Sequence, residues 1–134
     1  MDIYLDIDGV LVSDSLENNR AIVPYALELL KALTEKHNCF WLTTHCHNGE
    51  NHAAEFLMER FPAEAKAYLD KIQPTDWGTW KTDAIDFRKD FRWIDDDVYE
   101  LEIAVLREKG CEDKLIKVDL AKNPNQLREV IARI

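Results

Sequence analysis

Apolar residues in this chain fall into short continuous runs that alternate with stretches of helical spacing. Residues 2–7 read as a buried strand, since a brief apolar run bounded by turn signals fits one. Runs at 10–13 and 21–23 flank the polar segment Asp14-Ser15-Leu16-Glu17-Asn18-Asn19-Arg20, which predicts a small hairpin lying over the end of the first strand. Ala26, Leu29, Leu30 and Leu33 then recur at i, i+3, i+4 and i+7, the stripe of an amphipathic helix. Pro24 is placed to open it, where a missing N–H costs nothing.

The alternation continues. Residues 39–43 predict a second strand and 44–49 a loop. A helix follows from about Asn51, with Ala54, Leu57, Met58 and Phe61 on one face and Pro62 at its end. Residues 63–69 are good helix formers, and 71–73 are expected to form a short third strand. Thr79 is placed to cap a helix running to about Lys89. Residues 91–94 predict a strand ending in Asp95-Asp96-Asp97, and 98–109 a helix stopped by Gly110. Residues 115–118 predict the last strand. Asn123 and Pro124 then open a helix with Leu127, Val130, Ile131 and Ile134 as its stripe.

Strands that are apolar on both faces and alternate with helices predict one α/β domain over residues 1–134, a three-layer Rossmann-like sandwich with a mainly parallel sheet of about five strands. The length fits a single domain. Hydrophobic residues make up 46% of the chain, enough for a full core.

Formal net charge is -9, with lysines and arginines scattered. There is no strong nucleic-acid-binding signal, and an anionic membrane surface is a poor partner. No apolar run reaches the length of a membrane span. The three cysteines, Cys39, Cys46 and Cys111, are far apart and odd in number, which points to reduced thiols and a cytoplasmic setting. The chain opens directly on a strand, so no signal peptide is expected.

The chemistry concentrates where the strands end. Asp6 and Asp8 stand at i and i+2, on one face of a strand at its carboxyl end, where open α/β sheets place their ligand sites. Carboxylates this close repel unless a cation or a shared proton relieves them. Each element has a plainer explanation alone. Asp8-Gly9 suits a hairpin turn, and three aspartates suit a helix N-terminus. Thr43-Thr44 suits a turn, and Lys81 a solvated helix face. A parallel sheet nevertheless brings all of them to one edge.

Together the set suits phosphoryl transfer to a carboxylate. A hard divalent cation, Mg²⁺, takes oxygen ligands such as Asp6, Asp95 and a backbone carbonyl. One carboxylate can attack phosphorus, and another can protonate the leaving oxygen. A threonine hydroxyl and a lysine ammonium hold the remaining phosphate oxygens.

Tyr4-Leu5-Asp6-Ile7-Asp8-Gly9-Val10 resembles the first motif of the haloacid dehalogenase superfamily, in its two-aspartate phosphatase form. Phe40-Trp41-Leu42-Thr43-Thr44 resembles the second motif, Lys81 fits the third, and Trp93-Ile94-Asp95-Asp96 resembles the fourth, so the resemblance spans nearly the whole chain. It implies that Asp6 is the nucleophile and Asp8 the general acid and then base. It further implies that Asp6, Asp95 and the Asp8 carbonyl bind Mg²⁺, with Asp96 binding directly or through water. Thr44 is the implied phosphate ligand, with Thr43 the alternative. Lys81 pairs with Asp6 and phosphate, with Lys71 the alternative. The hairpin over residues 10–23 resembles the family's flap. No segment has room for a large cap, which implies an open site for an accessible or bulky phosphate ester, or a partner that closes it.

Other polar residues have weaker readings. His45, His47 and His52 lack a convincing zinc pattern, and His45 is expected to line the pocket beside Thr44. Trp77 and Trp80 flank Lys81 and can either stack on a substrate ring or pack in the fold. Asp14 and Asp119 fall near the active edge. The expected activity is that of a Mg²⁺-dependent phosphatase. The alternatives are a receiver-like phosphoacceptor switch and a catalytically silent binding module on the same fold. The natural substrate and the oligomeric state are not legible.

Overall fold

A computed structural model describes residues 1–15, 17 and 19–134. Its centre is a parallel sheet of four strands, β1 (Asp2–Leu5), β2 (Asn38–Trp41), β5 (Phe91–Asp95) and β6 (Leu115–Lys117), in the order β2-β1-β5-β6. Leu5 pairs with Trp41 on one side and Ile94 on the other, and Ile94 pairs with Ile116. A separate antiparallel ribbon joins β3 (Cys46–His47) to β4 (Glu50–Asn51). Its turn is Asn48-Gly49, with both residues at positive φ, the conformation that a two-residue hairpin turn demands.

The strands are apolar on both sides because helices cover both sides. Ile3 and Leu5 face one cluster with α1 (Ala26–Lys36) and α5 (Gln126–Arg133), through Leu29, Leu30, Leu33, Leu127 and Val130. The short helices α2 (Ala53–Met58) and α3 (Lys66–Leu69) add Leu57 and Leu69 to it. Tyr4 and Trp93 face a second cluster with Leu106 of α4 (Glu100–Glu108). The expected three layers are therefore present.

Several expected boundaries differ. Residues 71–73 do not form a fifth strand. Gln73 makes one bridge to Phe40, donating to Cys39 O and accepting from Trp41 N, before Pro74 removes the next donor. Among the described residues the flap shows isolated bridges, Val12 to Ile22 across it and Val12 back to Asp8, and two of its residues, Leu16 and Asn18, lie outside the described set. Pro24 does not open α1, because Tyr25 is left-handed at φ 68° and the helix starts at Ala26. Asn123-Pro124 forms a turn ahead of α5, whose flanking residue is Asn125. Instead of a helix from Thr79 to about Lys89 there is a 3-10 turn, Lys81–Ala84. Ile85 turns extended and buries itself in the second cluster, which ends the turn.

Candidate active site

The chain leaves β1 for β2 on one side and later returns to β5 on the other. The carboxyl ends of β1 and β5 are thus the point where connections diverge, the place where open α/β sheets bind ligands. Asp6 follows β1, its N–H bonded to Ile94 O at 3.0 Å, and Asp95 ends β5. Carboxylate oxygens of Asp6, Asp95 and Asp96 all lie within 4.8 Å of one another. Asp95 is fully buried and Asp6 nearly so. Burial, followed by the charge of Asp95, pushes the Asp6 carboxyl well above the usual carboxylate range. The same two causes push Asp96 up to about 6. The cluster therefore resists full ionisation without a cation.

Lys81 supplies one. Its Nζ lies 2.7 Å from Asp95 Oδ2 and 3.5 Å from Asp6 Oδ2. Burial works against the ammonium, but Asp6 and Asp95 outweigh it and hold its pKa above the ordinary lysine value. The position of Lys81 is fixed by buried Glu102 at the start of α4. Glu102 accepts the Lys81 N–H at 2.7 Å and the Tyr99 N–H at 3.1 Å. Trp93 Nε1 donates to Asp95 Oδ2 at 3.1 Å, so both partners of the buried ion pair are further anchored. Lys71 is exposed, and among the described residues the lysine paired with Asp6 and Asp95 is Lys81.

The two threonines part company. Thr43 is fully buried, and its hydroxyl accepts the His45 N–H at 3.3 Å. Thr44 is exposed and lines a pocket of about 270 Å³ with Asp6, Asp8, Lys81 and Asp96. Asp97 and Tyr99 also line it, and Asp97 N–H caps Asp95 Oδ1 at 3.1 Å. A larger hollow of about 780 Å³ shares Asp14 and Asp96 with this pocket and is walled by the flap and by Asp119. Gly9 sits at φ 78°, and a Cβ there would overlap the Asp96 carboxylate. Glycine is thus what lets Asp96 lie against the turn after β1.

Asp8 stands apart from the metal-like cluster. Its Oδ2 accepts from His45 Nε2 at 2.8 Å, and Arg20 lies 3.6 Å from Oδ1. The His45 hydrogen bond outweighs partial burial and holds the Asp8 carboxyl below its usual value. Oδ1 is covered and finds no hydrogen-bond partner among the described residues.

The remaining candidates have structural partners. His47 bonds to Gly78 O at 2.7 Å, and His52 bonds to Glu50 at 3.0 Å, so the three histidines diverge. Trp77 is buried and donates to Thr43 O and Cys46 O, holding the loop after β2. Trp80 meets the exposed ring of Tyr99 edge-on at 6.0 Å between centroids. Glu102 and Arg20 have no role in the sequence reading, and Trp93 enters it only as the apolar lead of the fourth motif. Glu102 had a signal, an acid at the third position of a helix, where it can reach back to the cap N–H. No model of a known family, no curated protein and no solved structure matches this chain.

Proposed function

We propose that the protein is a Mg²⁺-dependent phosphohydrolase that works through an aspartyl-phosphate at Asp6, on an accessible phosphate ester. The observation that carries this reading is the convergence of Asp6, Asp95 and Asp96 to within 4.8 Å beside Lys81, on a pocket that also presents Asp8 and Thr44. The resemblance of the four sequence motifs to the haloacid dehalogenase superfamily supports the same assignment. The donor set is all oxygen and carries more negative charge than Lys81 offsets, which fits a hard divalent cation. Asp6, Asp95, Asp96 and the Asp8 carbonyl would hold it. Bound there, it would neutralise carboxylate charge and the charge on a transferring phosphoryl group.

The protein's own groups then divide the work. An Asp6 carboxylate oxygen attacks phosphorus, and the ester oxygen leaves as the acyl phosphate forms. Asp8 gives that oxygen its proton. It next takes a proton from the water that attacks the acyl phosphate, which frees Asp6 and releases phosphate. Without substrate Asp8 is held ionised. An arriving phosphate dianion raises its proton affinity by like-charge repulsion. The Lys81 ammonium and the Thr44 hydroxyl bind phosphoryl oxygens and stabilise charge as the bond breaks.

An aryl phosphate assayed with Mg²⁺ and with EDTA tests the reading. Turnover is expected only with the metal, and Asp6→Asn is expected to lose it by at least ~10³-fold while keeping its circular dichroism spectrum. Full turnover in Asp6→Asn, or none in the parent protein with Mg²⁺ over a panel of phosphate esters, refutes it.

A further inference from the structure

We infer that His45 is a positioning residue for Asp8, fixing the orientation of its carboxyl group at the edge of the pocket for proton transfer to the leaving group. The inference rests on the phosphohydrolase reading above. It starts from the asymmetry of Asp8. Oδ2 is taken by His45 Nε2 at 2.8 Å, while Oδ1 has no hydrogen bond among the described residues. An ionised carboxylate only accepts, so Nε2 carries the hydrogen. Oδ1 is covered and lies 3.6 Å from Arg20 Nη1, so the carboxyl group is held at both ends and loses its freedom to turn.

The imidazole is itself held from several sides. Its backbone N–H is bonded to Thr43 Oγ1 at 3.3 Å, and its carbonyl accepts from His52 N at 2.7 Å. Its ring stacks on Phe56 of α2, with centroids 4.1 Å apart and planes at 28°. The Arg60 guanidinium lies 3.8 Å from the centroid of the Phe56 ring, and its Nε donates to Arg20 O at 3.2 Å. Arg20 then returns to Asp8 Oδ1 at 3.6 Å. Asp8, His45, Phe56, Arg60 and Arg20 close a circuit drawn from the β1 turn, the loop after β2, α2 with the turn that follows it, and the flap. A hydrogen bond serving only to tie down the loop would not need a stacked, doubly anchored ring, since Thr43 and His52 already pin that backbone. Placing a proton donor to within tenths of an ångström does need one, because transfer depends steeply on geometry.

Proton donation matters in proportion to how poor the leaving group is, and this separates positioning from simple support. Wild type, His45→Phe and His45→Gln would be assayed with Mg²⁺ on 4-nitrophenyl phosphate and on a simple alkyl phosphate. His45→Phe keeps a ring to stack on Phe56 but removes the donor, and His45→Gln keeps an N–H at nearly the same reach. His45→Phe is expected to lower kcat on the alkyl ester roughly 30-fold or more, with less than about 3-fold on the nitrophenyl ester, a share of the range for general acid catalysis. His45→Gln is expected to recover most of the alkyl activity. An equal loss on both esters, or none on the alkyl ester, overturns the inference while leaving the phosphohydrolase reading standing. Absence of wild-type turnover on both takes both down. Should His45→Phe not fold, Phe56→Leu reports instead, with a several-fold drop in the alkyl-to-nitrophenyl ratio expected and an unchanged ratio counting against the role.

Discussion

Replacing Asp96 by asparagine is expected to stabilise the metal-free protein. Asp96 titrates at about 6 against an ordinary value of 3.8, because burial and the charge of Asp95 disfavour its ionised form. Two pKa units at about 1.4 kcal/mol each set a ceiling near 3 kcal/mol. Asp96 is only half-buried, and solvent screening brings this down to about 1–2 kcal/mol. The sign follows from proton binding. Between pH 4 and 6 the folded chain holds a proton at Asp96 that the unfolded chain has released, so stability falls as pH rises through that window. By about pH 7 the loss is complete. Asp6 is pushed in the same direction and touches Asp96, so the contrast between wild type and Asp96→Asn reports the charge repulsion of the pair.

Urea unfolding in EDTA at several pH values measures this. The variant is expected to be about 1–2 kcal/mol more stable than wild type at pH 7.5 and nearly equal to it at pH 4. Adding Mg²⁺ should reverse the order. A ligand that binds only the folded state at a hundred times its dissociation constant adds about 2.7 kcal/mol, and Asp96→Asn loses much of that gain. A variant less stable than wild type in EDTA at pH 7.5, with a gap that does not change with pH, refutes the picture of a cluster strained by its own charge.

Two further substitutions probe the supports of the site. Gly9→Ala places a Cβ into the Asp96 carboxylate and forces φ 78° on an L side chain. It is expected to cost about 1–3 kcal/mol in urea unfolding and to weaken the Mg²⁺-dependent stabilisation, and a Gly9→Ala protein with unchanged stability and cation response counts against the packing described. Lys81→Met leaves Asp95 buried without its 2.7 Å partner. A loss of about 3–5 kcal/mol is expected in EDTA, and a loss below about 1 kcal/mol counts against a buried ion pair between Lys81 and Asp95.

The fold was legible because its signals are periodic. The alternating runs and the stripe at Ala26, Leu29, Leu30 and Leu33 are set by burial, and burial is what the helices and strands obey. The misplaced boundaries lie where local rules yield to particular contacts. Tyr25 adopts a left-handed conformation that nothing in its side chain announces. The segment from Thr79 reads as a helix until Ile85 is drawn into the core. The acidic cluster was legible because a parallel sheet sends every strand end to one edge, whichever residues stand there. What held the cluster in place was not. Arg20 reaches Asp8 across a flap whose path no periodicity fixes. Thr43 and Thr44 are chemically alike, and only the inward turn of one hydroxyl toward His45 N–H separates them.

The pairing of Leu5 with Ile94 also bears on when the protein becomes competent during its own synthesis. A ribosome-bound chain that has not yet released β5 already carries Asp6, Asp8 and both threonines. It has no neighbouring strand on the open side of β1 and no Asp95 to gather the charge. Contacts this distant in sequence form late. Anion or cation binding by a nascent chain stalled before residue 91 should therefore be absent, and should arise only once β5, β6 and α5, which closes the core over β1, have emerged.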